Sequence, residues 1–345
     1  MRKFNYKELE QKKWDNEIVS YIARLHEYKA KQDLFLNQQP EGVEKLVELA
    51  KIQSTEASNK IEGIYTTNER LREIINNKTT PKTRDEEEIA GYRDVLNLIH
   101  ENHEFIKIDK NHLLQLHKIL FKYSRKGIGG NFKNVQNYIT AQTENGETYT
   151  LFTPLAPYET PEAVERICAE FNYALASGNV EPLILIPIFI HDFLCIHPFL
   201  DGNGRMSRLL TTLLLYKSGF LVGKFVSLES KIADTKQTYY DTLEIAQLGW
   251  HEGKENVEEF VKYFLAIVVS AYRDFEERAE IMLSDSNYEK VKKAICFIIG
   301  RFTKKTIIEY CPDISEKTIE RVLKMLVEEK VISKHGQGKS TFYYR

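Results

Sequence analysis

The chain has 345 residues, a length that accommodates one large domain or two to three ordinary ones. Hydrophobic residues make up 42% and charged residues 28%, a globular composition that excludes a disordered, collagen-like or disulfide-rich chain. The net charge is −2, so the whole molecule has no strong attraction to nucleic acid or to acidic membranes. The charge is uneven, because residues 286–345 carry +6 and the other residues about −8.

The cysteines, the N-terminus and the apolar stretches indicate where in the cell the protein is expected. The four cysteines are far apart and form no CxxC pair, which is typical of a reduced chain with inert buried thiols. The first residues are charged and lack the apolar core of a signal peptide. Proline, histidine and aspartate interrupt the most apolar stretch, residues 183–200, so a buried helix is expected there. We expect a cytoplasmic protein with no membrane contact.

The first part of the chain, residues 1–84, is patterned as helix. Apolar residues recur at helical spacing over residues 43–61. The glycine that follows, Gly63, is the residue type that most often ends a helix. We therefore predict a helix over about residues 43–63 within an N-terminal helical region.

Residues 85–283 are predicted to form a helical core that one β-hairpin interrupts. In the segment 128–153, β-branched and aromatic residues flank Glu144-Asn145-Gly146, and Asn-Gly is the strongest short-range hairpin signal. The remaining apolar periodicity predicts helices at 85–106, 109–123, 161–177, 181–196, 204–218, 235–248 and 257–283.

A further unit, residues 286–345, follows a short linker. Helices are predicted at 288–302, at 304–310 and from the capping residue Ser315 to 327, with two short strands after them. This order is the pattern of a winged helix-turn-helix. The charge of +6 suits contact with a DNA backbone, whereas acidic residues on the third helix suit a protein partner. Both kinds of partner stay open.

The segment 197–208, HPFLDGNGRMSR, concentrates chemical groups between two apolar helices. His197, at a helix end, is a candidate general base because the pKa of histidine lies near neutral. Asp201 is a hard oxygen ligand that suits Mg²⁺. Gly202 and Gly204 allow backbone N–H groups to curl into an anion nest at a helix start, where the helix dipole also favours phosphate.

Three further side chains extend this arrangement. Asn203 can donate a hydrogen bond to a phosphate oxygen. Arg205 and Arg208 lie three apart on one helical face, from which both can point at a polyphosphate. A base, a metal ligand, an anion site and two guanidinium groups so close in sequence indicate a site of phosphate transfer.

Three other kinds of site do not fit this segment. A calcium loop would need another residue at the position of Arg205 and a matching Gly and Glu further on. A P-loop would end in Gly-Lys-Ser/Thr. His191 and His197 are six residues apart and do not share a helix face, so a zinc pair is not expected.

The segment resembles the signature of Fic-family proteins, H-x-F-x-[D/E]-G-N-G-R-x-x-R, and matches every specified position. The resemblance implies a mainly α fold, with a Fic-fold helical core, a β-hairpin flap and, here, a C-terminal winged helix-turn-helix. It also implies a protein adenylyltransferase, in which a Tyr, Thr or Ser hydroxyl attacks the α-phosphorus of ATP and pyrophosphate leaves. Gly204 favours AMP transfer, since the related Doc toxins, which phosphorylate, usually carry lysine there.

The same resemblance implies a role for each residue of the segment. His197 would be the general base, Asp201 would hold a Mg²⁺ that bridges the α- and β-phosphates, and Phe199 would anchor the loop. The implied phosphate-binding residues are Gly202, Asn203 and Gly204 in the anion hole, Arg205 at the β-phosphate and Arg208 at the γ-phosphate.

The hairpin resembles the family's flap, which pins a target peptide by strand addition. Lys133 stands where the family often has arginine, and Asn137 replaces a common aliphatic residue. The segment around Tyr239-Tyr240 resembles the family's adenosine pocket. The nucleotide-binding residues implied in these two regions are Ile139, Thr140, Tyr239, Tyr240 and Gln247.

A second motif lies in the predicted N-terminal helix. Residues 58–63, SNKIEG, resemble the family's inhibitory sequence [S/T]-x-x-x-E-[G/N], with Ser58, Glu62 and Gly63 at the specified positions. Glu62 lies in the last helical turn, where the helix dipole disfavours a carboxylate by roughly 0.3–1 kcal/mol unless a cation offsets it. The resemblance implies that Glu62 pairs with Arg208 and denies it to the γ-phosphate.

The sequence thus predicts an autoinhibited adenylyltransferase that modifies target proteins and itself, with ATP as substrate and Mg²⁺ as cofactor. One alternative is the reverse reaction, in which Glu62 positions water and the chain is a de-AMPylase or a bifunctional enzyme. Another is a DNA-binding regulator with a nucleotide-sensing Fic core, although the intact His197 argues against a mere sensor. A homodimer is also predicted, from the long helices and the wing.

Overall fold

The computed structural model describes residues 2–38, 40–142 and 145–345, and its regular structure is mostly helical. The N-terminal helices are α1 (Asn16–Gln38), α2 (Pro40–Ile61) and α3 (Asn68–Ile75). Those of the central part are α4 (Arg84–Asn102), α5 (Lys110–Leu120), α6 (Thr160–Ser177), α7 (Pro182–Ile196), α8 (Asn203–Lys217), α9 (Leu228–Asp234), α10 (Lys236–Ala246) and α11 (Glu258–Met282). The C-terminal helices are α12 (Asn287–Phe297), α13 (Lys304–Tyr310) and α14 (Glu316–Glu328). The prediction of a mainly α chain is confirmed.

The predicted N-terminal helix is the later part of α2. The helix ends at Ile61, and Gly63 adopts the left-handed conformation with φ +77° that follows many helix ends. The helix packs against α4 and α9, so its end lies against the central part of the chain. Three helices, α1, α3 and α9, were not predicted.

The helix α7 lies at the centre of the main hydrophobic core. It is apolar on every side, which is the pattern of a buried helix, and it packs against α6, α8 and α11. Within the described ranges, no helix has both the length and the apolar character needed to cross a membrane. Three cysteines are buried as expected, but Cys296 is exposed, because it lies on the side of α12 opposite the buried Ala294 and Ile295.

A buried polar network fixes α7 to the start of the chain. Asp192 accepts hydrogen bonds from the hydroxyl of Tyr6 at 2.8 Å and from the indole nitrogen of Trp250 at 2.6 Å. The guanidinium of Arg2 lies 3.4 Å from the same carboxylate. Burial nevertheless raises the pKa of Asp192 to about 6. The network lies five residues before His197 and so supports the end of α7.

The predicted hairpin is present between α5 and α6. The strands β1 (Ile139–Gln142) and β2 (Thr148–Phe152) pair antiparallel, with Thr140 opposite Thr150. The pairing shifts in register next to Ile139, which bends the base of the hairpin. Glu144, in the predicted turn, lies outside the described residues.

The C-terminal unit has a hydrophobic core of its own. α12, α13 and α14 are followed by β3 (Ser333–His335) and β4 (Phe342–Tyr344), in the order that the sequence predicted. Their core includes Ile281 from the end of α11. The prediction that the first of these helices continues to 302 is wrong, because Phe302 leaves the helix and exchanges two backbone hydrogen bonds with Tyr343.

Candidate active site

The candidate active site is built around the loop between α7 and α8. The chain leaves α7 at His197 with φ 50° and ψ 62°, and Gly202, with φ 84°, precedes α8. A left-handed backbone is costly for histidine and needs support from its surroundings. Asn137 gives part of that support by donating to the carbonyl of His197 at 3.2 Å. Asn203 holds the middle of the loop, since its amide donates to the carbonyl of Phe199 at 2.7 Å and accepts from its N–H at 2.9 Å.

The engagement of Asn203 changes one expectation from the sequence. The side chain was predicted to donate to a phosphate oxygen, but here it is buried and bonded to the backbone of Phe199. The first N–H groups of a helix have no partner within the helix. The backbone N–H groups at the start of α8 are therefore the donors that this position offers to an anion.

The ring of His197 is arranged as a neutral base. Its Nδ1 donates to the carbonyl of Leu194 at 3.1 Å, so that Nε2 carries the lone pair. Burial, reinforced by the nearby charge of Lys133, lowers the pKa of His197 to about 4. The ring is therefore unprotonated at neutral pH, which is the state in which it can take a proton from a hydroxyl.

A second histidine, which the sequence analysis missed, supports the loop. His117 stacks on Phe199, with ring centroids 3.8 Å apart and planes at 4°. Its Nε2 donates to the carbonyl of Asp201 at 3.1 Å, and its Nδ1 accepts from the N–H of Gly130 at 3.0 Å. Burial lowers the pKa of His117 to about 4 and keeps it neutral. Its place four residues after the buried Leu113 is the signal that could have found it.

Two residues that precede the hairpin tie it to the same loop. Asn137 donates to the carbonyls of His197 at 3.2 Å and Phe199 at 3.0 Å. Lys133 donates to the side-chain oxygen of Asn137 at 2.8 Å and to the carbonyl of Ile196 at 3.1 Å. Burial lowers the pKa of Lys133 to about 8. The two departures from the Fic pattern are therefore partners of each other, and together they hold the loop.

The loop borders a cleft of about 630 Å³, a volume in the range of small-molecule sites. The hairpin and α10 line other parts of it. The predicted residues that the structure brings together there are Glu62, Ile139, Thr140, His197, Asp201, Gly202, Asn203, Gly204, Arg205, Arg208, Tyr239, Tyr240 and Gln247. Ser58 and Gly63 do not line the cleft.

Arg205 is buried in the cleft and only partly paired. Its side chain is 1% exposed, and one terminal nitrogen lies 2.8 Å from a carboxylate oxygen of Glu88. Its Nε and its other terminal nitrogen have no hydrogen-bond partner among the described residues. Such buried donors cost free energy unless a ligand accepts from them, so they favour an anion in the cleft. Glu88 was missed, although it lies in register with the buried Tyr92 on α4.

Asp201 is the carboxylate of the cleft that suits a metal. Its oxygens lie 2.6 Å from Nζ of Lys126 and 3.6 Å from Arg205. Burial opposes ionisation, but the hydrogen bond from Lys126 and the charge of Arg205 outweigh it and lower the pKa of Asp201. Among the described residues, no group of three or more His, Cys, Asp and Glu could hold a metal by itself. A single ionised carboxylate does fit a Mg²⁺ ion that arrives on phosphate groups.

Arg208 is held by the end of α2. Its Nε donates to the hydroxyl of Ser58 at 2.8 Å, and a terminal nitrogen donates to the carbonyl of Ser58 and to Glu62, at 2.9 and 2.8 Å. Burial opposes the charge, yet Glu62 raises the pKa of Arg208. A Cβ atom at Gly204 would lie 2.3 Å from the carboxylate of Glu62. Glu62 thus lies beside the predicted anion nest. The predicted ion pair between Glu62 and Arg208 is present. The effect of this ion pair on activity stays a prediction.

The tyrosines of α10 differ in exposure. Tyr239 is buried, whereas Tyr240 is 42% exposed and its ring centroid lies 5.3 Å from that of Tyr239. Gln247 is buried at the other end of the helix and also lines the cleft. Tyr240 therefore offers an aromatic surface on which a nucleobase can stack. Their role in nucleotide binding stays a prediction.

The central part of the chain resembles known proteins. The Fic/DOC family profile matches residues 107–215. Protein adenylyltransferase fic-1 of Caenorhabditis elegans is 27% identical over 185 residues, which are 52% of this chain and 32% of that protein. A Fido domain-containing protein of Dictyostelium discoideum is 30% identical over 102 residues, which are 28% of this chain and 67% of that protein. This chain thus spans about a third of the length of the nematode relative.

The fold also has known counterparts. A Fic family protein from Desulfovibrio desulfuricans G20, solved by crystallography, superposes with a TM-score of 0.63 at 19% identity. The superposition covers 96% of this chain and 96% of that chain. At this identity the likeness shows the fold alone, and it confirms the mainly α Fic fold that the sequence predicted.

Proposed function

Because the chain belongs to the Fic/DOC family, we propose that it is a protein adenylyltransferase that moves AMP from ATP onto Tyr, Thr or Ser hydroxyls. The observation that carries the proposal is the neutral His197 in one cleft with the unpartnered N–H groups of Arg205. Relatives that are named protein adenylyltransferases support it. The acceptors are target proteins and the chain itself. A homodimer and a cytoplasmic location stay predictions.

The proposed reaction is a displacement at the α-phosphorus of ATP. The attacking hydroxyl gives its proton to Nε2 of His197, its oxygen bonds to phosphorus, and the bond to the pyrophosphate oxygen breaks. Arg205 and the backbone N–H groups at the start of α8 stabilise the phosphate oxygens, and Arg208 holds the γ-phosphate. A Mg²⁺ ion held by Asp201 would neutralise charge on the phosphates.

We also propose that Glu62 restrains this reaction. Its carboxylate engages Arg208, and its position beside Gly204 leaves little room for a phosphate oxygen at the start of α8. A γ-phosphate would therefore have to displace a carboxylate of the same charge before it could reach Arg208. Removal of the Glu62 side chain then frees both the guanidinium and the anion site.

Intact-mass spectrometry after incubation with Mg-ATP tests both proposals. The variants are wild type, Glu62→Gly, and Glu62→Gly combined with His197→Ala. We expect AMP adducts to be most abundant in Glu62→Gly and absent from the double variant. Equal modification of all three would contradict the roles of both residues. The reverse reaction is separated by adding a chain that already carries AMP, because a de-AMPylase would remove the adduct in wild type and not in Glu62→Gly.

A second proposed function is DNA binding by the C-terminal unit. Five of its seven acidic residues form ion pairs. Lys304 pairs with Glu316 and Glu320, Lys290 with Asp313, Lys305 with Glu309 and Lys324 with Glu328. The cations of this unit that form no ion pair with any described residue include Arg301, Lys317, Arg321, Lys330, Lys334 and Arg345. A surface of unpaired cations on a recognition-type helix and wing suits a phosphate backbone.

Fluorescence anisotropy with a labelled duplex DNA tests this second function. We expect Lys317→Ala with Arg321→Ala to weaken binding at low salt and to reduce its salt dependence. Lys292→Ala is the control, since Lys292 is on α12 in the same unit. Equal binding by all variants, or binding that salt does not affect, would contradict the proposal.

A further inference from the structure

Lys126 forms an ion pair with Asp201, the carboxylate proposed to hold the metal ion. Its Nζ lies 2.6 Å from Oδ2 of Asp201 and 3.7 Å from Oε1 of Glu88. The other oxygens of the two carboxylates face Arg205, at 3.6 and 2.8 Å. Asp201 and Glu88 therefore form a pair of carboxylates that share two cations.

The two carboxylates depend on Lys126 to different degrees. Glu88 also accepts from Nε of Arg84 at 3.0 Å and from Arg205, so its charge is balanced without the lysine. For Asp201, Lys126 is the one cation within hydrogen-bond distance among the described residues. If Lys126 leaves, Asp201 needs another cation, because a second carboxylate lies nearby.

Lys126 is placed where its side chain can leave. It lies in the turn that follows α5, next to Gly127, whose φ is +64°. Its side chain is 32% exposed, and its backbone N–H donates to the hydroxyl of Ser124, so the turn is held while the side chain stays free to rotate. A lysine carries its charge on a flexible stem of four carbons, which allows such a movement without a change in the backbone.

We propose that Lys126 is an internal counter-ion that a divalent cation must displace from Asp201, so that this lysine sets the metal concentration at which the site fills. The inference rests on the metal role proposed for Asp201. An ammonium and a divalent cation on one carboxylate repel each other, and an ammonium offers no lone pair to a metal. Lys126 acts through Asp201 and is a positioning residue.

Direct measurement of Mn²⁺ binding tests the inference without any reading of activity. Free Mn²⁺ is followed by electron paramagnetic resonance in the presence of a non-hydrolysable ATP analogue, with the full chain and, as the blank, without it. We expect Lys126→Met to lower the Kd for Mn²⁺ about fivefold, the ratio that corresponds to the loss of one partly exposed ion pair. Lys126→Arg, which keeps the charge, should behave as wild type.

The matched control is Lys122→Met, which removes a lysine from the same end of α5, where it lies 3.6 Å from Asp94. It should leave the Kd for Mn²⁺ unchanged, whereas a decrease equal to that of Lys126→Met would show a general effect of charge and overturn the inference. Binding of the analogue in EDTA should be the same in Lys126→Met and wild type. Weaker binding there would make Lys126 a phosphate ligand and would also overturn it.

Asp201→Asn separates this inference from the proposed function. Loss of Mn²⁺ binding in Asp201→Asn, together with a wild-type Kd in Lys126→Met, would overturn the inference about Lys126 and leave the metal role of Asp201 standing. Unchanged Mn²⁺ binding in Asp201→Asn would overturn both. Tighter binding in Lys126→Met and loss in Asp201→Asn support both.

Discussion

Glu62 and Gly204 share one small space at the start of α8. A Cβ atom on residue 204 would lie 2.3 Å from a carboxylate oxygen of Glu62 and 3.3 Å from a terminal nitrogen of Arg208. The carboxylate is the end of a flexible side chain, so it is the group that would move. The observed position of Glu62 therefore requires glycine at 204, apart from any role that this glycine has toward phosphate.

Gly204→Ala tests this coupling through stability. We expect Gly204→Ala to be about 1 kcal/mol less favourable for the free energy of unfolding in the wild-type chain than in the Glu62→Gly chain, because the new methyl group drives Glu62 away from Arg208. In the Glu62→Gly chain we expect no loss, since alanine is the better helix former by up to about 1 kcal/mol. Urea unfolding of the four variants of this double-mutant cycle measures the difference. Additive effects would show that the two residues do not share the space.

The buried histidines make stability depend on pH. Burial lowers the pKa of His117, His191 and His197 to about 4, against an ordinary value of 6.5. Between these values the three histidines bind more protons in the unfolded chain than in the folded chain, so the stability that they contribute is lost as pH falls from about 6.5 to 4. We expect His117→Gln to reduce this slope in urea unfolding. The exposed His335→Gln is the control, and equal slopes in His117→Gln and wild type would contradict the prediction.

At the scale of elements, the sequence predicted best the helices whose apolar residues form a long continuous run. α7 and α8 were predicted within about a residue of their observed ends, because a long apolar run defines them. α3 and α9 were missed, since eight and seven residues show a helical period only weakly, although α13, which also has seven residues, was predicted. α1 was missed despite 23 residues, because its buried positions before Phe35, which are Ile18, Leu25 and Gln32, lie seven apart and form a narrow stripe.

The site residues that could be predicted are also those whose pattern lies within one short segment of the sequence. The motif residues are consecutive in sequence, so their types and spacing were enough. His117 and Lys126 reach Asp201 across 84 and 75 residues, and their contacts exist only once α5 packs beside the loop. The motif identified Asn203 as a site residue but did not predict its hydrogen bond to Phe199, because that bond depends on the shape of the folded loop.

The segment before the hairpin is expected to hold the catalytic loop, and Asn137→Ala tests this. The change removes two hydrogen bonds to backbone carbonyls and one partner of the buried Lys133, which should cost about 1–3 kcal/mol of unfolding free energy. Looser placement of His197 should also slow AMP transfer about tenfold or more in the Glu62→Gly background. Thermal unfolding and timed intact-mass spectra measure the two effects. The exposed neighbour Val135→Ala should change neither, and an Asn137→Ala chain that matches it would contradict the prediction.

At the scale of the whole molecule, the described residues form three hydrophobic clusters, which are a small one between α3 and α4 and two main cores of unequal size. Of the two main cores, the larger surrounds α7 and α8, and the smaller joins α12, α13 and α14 to Ile281 at the end of α11. Of the two boundaries in the proposed division into residues 1–84, 85–283 and 286–345, the second therefore lies where the larger core gives way to the smaller one. Because Ile281 belongs to the smaller core, α11 is the element through which the two parts are joined.

Ile307→Ala tests whether the smaller core unfolds by itself. Ile307 is fully buried in it, so truncation should cost about 2–5 kcal/mol of local stability. If the cores are independent, hydrogen exchange should quicken in α12, α13 and α14, while amides of α7 and α8 keep their protection. The partly exposed Val331→Ala is the control and should alter neither set. Faster exchange in both sets would instead mean that α11 makes the two cores one cooperative unit, and that events on the C-terminal unit reach the loop at His197.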